Sequence, residues 1–142
     1  MSQQKQQQPR EHKEVDWRGL ASATGPYPVD AFHFVREGLS YAAHRVHDDV
    51  ESIAEQDRHI TGQQLCLGLR DFAIDRYGML APAVLGHWNI RRTEDFGRIV
   101  FAMVEHGLLS KTSDDTLEDF RSVYDFQEAF SANEVATRIG AN

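Results

Sequence analysis

Two histidines, His44 and His47, lie within His44-Arg45-Val46-His47-Asp48-Asp49. That spacing sets both imidazoles on one face of a helix, with carboxylates beside them. Such a pair can ligate zinc, but a working site needs a third and fourth ligand. No His-Glu-x-x-His signature supplies them, and a solvated polar helix end explains the same residues. Cys66 is the only cysteine, so a disulfide framework and a multi-cysteine zinc site are both excluded. As a nucleophile it would need a nearby histidine and a depressed pKa. A small buried thiol between Leu65 and Leu69 is the simpler expectation. Asp114, Asp115, Glu118 and Asp119, with Asp125 and Glu128 beyond, could supply paired carboxylates. They match no EF-hand loop, and they read as helix-capping acids and a solvated face. Glycine-rich phosphate loops of either common kind are absent from the sequence. The sequence therefore predicts no catalytic residue, no metal ligand and no cofactor.

Binding chemistry has more to work with. Arg91 and Arg92 form a basic pair ahead of a helix that carries Arg98, as a helix-turn-helix DNA reader would need. From residue 93 to the end, however, ten acidic residues face four basic ones. That balance repels a phosphate backbone, so nucleic acid is disfavoured. Trp88 lies at the turn before that helix, and Tyr124, Phe126 and Phe130 crowd the C-terminal segment. Aromatics of this kind anchor protein interfaces, although in a small domain they also build the core. Trp88, Arg91, Arg92, Tyr124, Phe126 and Phe130 are thus the candidate partner-binding surface. Its acidic rim suits a basic protein surface, and self-association fits equally.

The elements that must position these residues follow from bulk properties and periodicity. The chain has 142 residues and a formal net charge of −7, enough for one core and unfavourable to anionic lipid. Its apolar runs, such as residues 99–104, fall far short of the ~20 residues of a membrane span. The N-terminus lacks an apolar signal region, so a cytoplasmic protein is expected. Residues 1–24, Gln-rich and polar, read as a disordered tail. Residues 25–130 read as a single helical domain, and residues 131–142 as a flexible end.

Within the domain, Gly25-Pro26-Tyr27-Pro28 is a turn that opens a helix from Val29 to Val46. Gly38 inside that helix implies a close helix–helix approach, because glycine there costs ~1 kcal/mol relative to alanine. Thr61 and Gln64 form a capping box for a second helix that ends at Tyr77-Gly78. A short helix over residues 80–88 accepts Pro82 in its first turn. Thr93 is the expected cap of the next helix, which ends at Gly107 with Leu108 folding back. Residues 108–126 read either as a hairpin, on the alternation of Phe120, Ser122, Tyr124 and Phe126, or as one or two helical turns. A last short helix opens at Asp125. The fold class is mainly α, with four to five helices. The order of three helices and a hairpin matches a winged-helix unit with an added N-terminal helix.

Four blocks carry a resemblance: Pro28-Val29-Asp30-Ala31-Phe32, Arg58-His59-Ile60-Thr61-Gly62-Gln63, Thr93-Glu94-Asp95-Phe96-Gly97 and Val123-Tyr124-Asp125-Phe126-Gln127-Glu128-Ala129-Phe130. They resemble the signature blocks of an uncharacterised family of small bacterial proteins over residues 27–130. The resemblance implies one stable domain and transfers no functional residue. The function expected from the sequence is a non-enzymatic protein-interaction domain. The alternatives are a winged-helix DNA-binding regulator and, third, a small metal-dependent enzyme.

Overall fold

A computed structural model describes residues 15–46, 60–109 and 116–140. His47, Asp48, Asp49, Asp114 and Asp115 lie outside the described residues, as do residues 1–14 and 141–142. The helices are α1 (Trp17–Thr24), α2 (Val29–Val46), α3 (Gly62–Tyr77), α4 (Ala81–His87), α5 (Thr93–Glu105), α6 (Phe126–Ala129) and α7 (Ala132–Gly140), with 3-10 turns at Gly78–Leu80 and Leu117–Phe120. The protein is mainly helical, and no strand occurs among the described residues.

The five expected helices are present, and their end signals explain where several stop. Thr61 Oγ1 accepts from the Gln64 amide at 3.0 Å, and Gln64 Oε1 accepts from the Thr61 amide at 2.8 Å. Gly107, at φ 76°, closes α5. There the Leu108 amide donates to Met103 O and the Gly107 amide to Val104 O, the paired bonds of a Schellman end. Asn89, at φ 64°, does the same for α4 through Ile90 N to Leu85 O and Asn89 N to Gly86 O.

Two helices fall where the sequence reading placed flexible ends. In α1, Asp16 accepts from the Gly19 amide, and Leu20 and Ala21 are buried. Trp17 lies 4.7 Å from the His33 ring. A capped two-turn helix with one apolar face is docked here, so order begins well before Gly25. In α7, Val135 is buried, and Arg138 Nη1 reaches Asp71 at 3.4 Å. Of the two readings of residues 108–126, the helical turn is the one seen among the described residues, and residues 110–115 lie outside them. Residues 117–120 form a 3-10 turn, and Ser122 has φ 47°, a left-handed conformation that interrupts a strand. The alternating aromatics are spaced by turns.

All the helices except α6 and α7 contribute several residues each to one apolar cluster, and those two add Ala129 and Val135. The most extensive pair is α2 with α3. Gly38 faces Leu69 and Phe72 of α3, while Gly68 of α3 lies against Ala42 of α2. The close approach expected at Gly38 is therefore double-sided, with a glycine on each helix.

Candidate interaction surface

The six residues singled out in the sequence do not form one surface. Trp88 is buried, with its ring 5.5 Å from Phe34 and 6.1 Å from Tyr77. Phe130 is buried too, and packs edge-on against Phe126 at 5.2 Å. Tyr124 and Phe126 are half-buried and stacked at 5.7 Å, and Phe126 also meets Phe96. The Tyr124 hydroxyl donates to Cys66 O at 2.8 Å, and the Arg70 guanidinium lies 5.9 Å from the centre of its ring. All four pack in the one apolar cluster, Trp88 beside Phe34 and Tyr77, and the other three against one another. Arg91 and Arg92 alone are exposed. The aromatic content of the C-terminal segment is thus spent on packing.

Reactive groups are held in quiet environments. Cys66 is fully buried, and desolvation first, then the Glu94 carboxylate, pushes its thiol up. That is the opposite of what nucleophilic activation requires. His44 is exposed, with Nδ1 2.9 Å from Ser40 O. Among the described residues no three His, Cys, Asp or Glu side chains lie close enough to hold a metal ion.

The strongest polar arrangement lies at the start of α5. Thr93 is not the cap that its position suggested. Its fully buried hydroxyl donates to Phe120 O at 2.7 Å and accepts from the Val123 amide at 3.1 Å. Asp95, 5% exposed, takes the capping role instead. Its Oδ2 accepts from the Arg91 amide at 2.7 Å and the Arg92 amide at 3.1 Å. Its Oδ1 accepts from the Tyr27 hydroxyl and lies 3.3 Å from Arg98 Nη1. Three chain segments converge on one carboxylate. Gly97 presses against the Phe120 ring, where an added Cβ would come within 2.8 Å. The first turn of α5 is therefore covered by the Leu117–Phe120 turn.

Burial, and then the bond to Asp95, push the Tyr27 hydroxyl up to about 12. In the unfolded chain a tyrosine ionises near pH ~10. Between those values the unfolded chain has already released a proton that the folded chain retains. It therefore binds fewer protons, and stability falls as pH rises through that window. Tyr27→Phe is expected to remove this part of the alkaline loss. It should also abolish a late phenolate step in the ultraviolet titration. A titration curve unchanged by the substitution would contradict the assignment.

The surface that the sequence reading missed lies at the opposite end of α4. Met79, Leu80 and Ile139 are 52%, 66% and 45% exposed. Pro82 and Ala83 are exposed beside them. Here α7 packs on the Gly78–Leu80 turn, with Ile139 Cδ1 only 3.8 Å from where a Gly78 Cβ would sit. The signal was present in the sequence. Residues 77–86 carry no charge, yet a helix as short as α4 can bury only one stripe of them, here Ala81 and Leu85.

Another concentration of charge involves Asp71 of α3. It pairs with Arg45 of α2 at 3.0 Å, with its neighbour Arg70 at 3.0 Å, and with Arg138 of α7. The joint ties three helices together and presents no reacting group. Among the described residues no helix is long and apolar enough to cross a membrane. No family model, curated protein or solved structure matches the chain.

Proposed function

We propose that the chain is a non-enzymatic protein-interaction domain, working in the cytoplasm, that docks a partner, another copy of itself included, through the apolar edge formed by Met79, Leu80, Pro82 and Ile139. The observation that carries this reading is the exposure of large apolar side chains along an uncharged stretch. Contiguous apolar patches of this kind mark contact sites. Covering the part of Met79 and Leu80 still exposed, 52% and 66%, offers about 1–2 kcal/mol for each side chain. The spent state of Cys66, Tyr124 and Thr93 supports the same reading. The resemblance to the small bacterial family belongs to this proposal and assigns no residue a role.

The DNA-binding alternative has less support. A recognition helix presents its N-terminal residues to base edges, whereas in α5 Thr93, Asp95 and Gly97 are buried. A photo-cross-linking residue at position 80, irradiated in cells, is expected to give discrete protein adducts that Met79→Asp abolishes. The same probe at exposed position 121 sets the background. Adducts no stronger than that background, or insensitive to Met79→Asp, would count decisively against the proposal.

A further inference from the structure

An open groove of about 480 Å³ runs between one face of α1, the 25–28 turn and the end of α4. That size falls within the range of about 300–1,000 Å³ common for ligand clefts. Its walls include Arg18, Ser22, Pro26, Tyr27, His87 and Asn89. Among the described residues lining it there is no carboxylate, although acids outnumber bases in the chain by 22 to 15.

The groove is braced from behind. The Asn89 amide donates to Pro26 O at 2.8 Å and so links the end of α4 to the 25–28 turn. Its Oδ1 accepts from Arg91 Nη2 at 3.2 Å, which holds that guanidinium at the rim. Tyr27, another lining residue, accepts from Arg98 Nη1 at 3.2 Å through its hydroxyl. Arg18, Arg91, Arg92, Arg98 and His87 are all exposed. The carboxylate bonded to this rim, Asp95, is buried and already shared between two amides, Tyr27 and Arg98. Asp30, exposed in the first turn of α2, follows the lining residue Val29.

We infer that this groove binds an acidic, carboxylate-rich segment of a partner protein, with Arg18 in its wall and Arg91 beside it, held by Asn89, as its principal anchors. This site is separate from the apolar edge and does not depend on it. Guanidinium groups match carboxylates through two parallel hydrogen bonds. The acidic surface elsewhere does not cancel the attraction, because charges farther away than about 8 Å are screened at physiological salt. A nucleic acid fits less well. Single strands are held largely by stacking on exposed aromatic faces, and Tyr27 is only 2% exposed.

The test uses the full chain and a fluorescein-labelled peptide of alternating Glu and Asp, read by anisotropy. Binding is expected to weaken as salt rises. It is also expected to fall by roughly tenfold or more, about 1.4 kcal/mol, in the Arg18→Gln/Arg91→Gln double variant, while Arg121→Gln leaves it unchanged. In wild-type protein, added peptide is expected to shift the NMR signals of His87 and Asn89, which keeps the inference testable if the double variant folds poorly. Any one of three results overturns it: binding no tighter than that of a matched Gln/Ser peptide, an equal loss in Arg121→Gln, or tighter binding of a single-stranded oligonucleotide.

Discussion

Gly68→Val is expected to destabilise the protein by about 3 kcal/mol or more, at the upper end of overpacking costs. A Cβ at position 68 would lie 2.3 Å from Ala42 Cβ and 3.1 Å from Ala42 Cα. The second of these atoms is backbone, so relief requires α2 and α3 to move apart along the largest interface in the fold. Gly38 offers an internal control. A Cβ there meets Leu69 Cδ2 at 2.2 Å, the tip of a side chain that can rotate. Alanine at position 38 also gains about 1 kcal/mol of helix propensity. Urea unfolding is therefore expected to rank the losses as Gly68→Val, then Gly68→Ala, then Gly38→Ala. Equal midpoints for Gly68→Ala and wild type would show that the two helices are not locked at this point. With domain stabilities of about 5–15 kcal/mol, the valine variant should also show a clear fall in Tm.

Asp95→Ala is expected to cost about 3 kcal/mol. The substitution strips the acceptor from the Tyr27 hydroxyl and from the Arg91 and Arg92 amides. Each buried donor left without a partner costs about 1–3 kcal/mol. Water can reach the two amides, which are only partly buried, and that keeps the total near the lower end of the sum. Arg98 adds little, because its guanidinium is 58% exposed and returns to solvent. Asp95→Asn retains one acceptor oxygen and should recover about half of the loss. Chemical denaturation of the three proteins separates these outcomes, and an alanine variant within about 0.5 kcal/mol of wild type would show that the carboxylate organises nothing. Asp95 also anchors Tyr27 beneath the basic groove, so the alanine variant should weaken acidic-peptide binding in step with its stability.

Legibility in the sequence followed how local each signal was. The start of α2, the Thr61–Gln64 box and the Gly107–Leu108 stop depend on residues a few positions apart, and the structure has them as read. The role of Thr93 was misread because its hydroxyl is claimed by Phe120 O and Val123 N, partners about thirty positions away in the chain. Asp95, two residues on, then serves as the cap. Alternation from Phe120 to Phe126 imitated a strand because each aromatic enters the core from its own turn, with Ser122 reversing the backbone between them. Helices α1 and α7 escaped notice for a related reason. Each is stabilised mainly by docking, through Leu20 and Ala21 in one and Val135 in the other, and a short helix has little propensity to declare on its own. Four of the six candidate surface residues, Trp88, Tyr124, Phe126 and Phe130, pack inward by the same logic. Aromatic residues are conspicuous in a sequence, but these are core. The exposed edge at Met79 and Leu80 consists of aliphatic residues that look like ordinary core until the size of α4 limits what can be buried.

The final helix is attached by a single buried valine and by one arm of the charge joint at Asp71. Excursions in which only the last turn-and-helix lifts away need not disturb the remaining cluster, since proteins open in sub-global units whose cost tracks their own local contacts. Each excursion would carry Ile139 away from Met79 and Leu80, so the apolar edge keeps all its members only while the helix is docked.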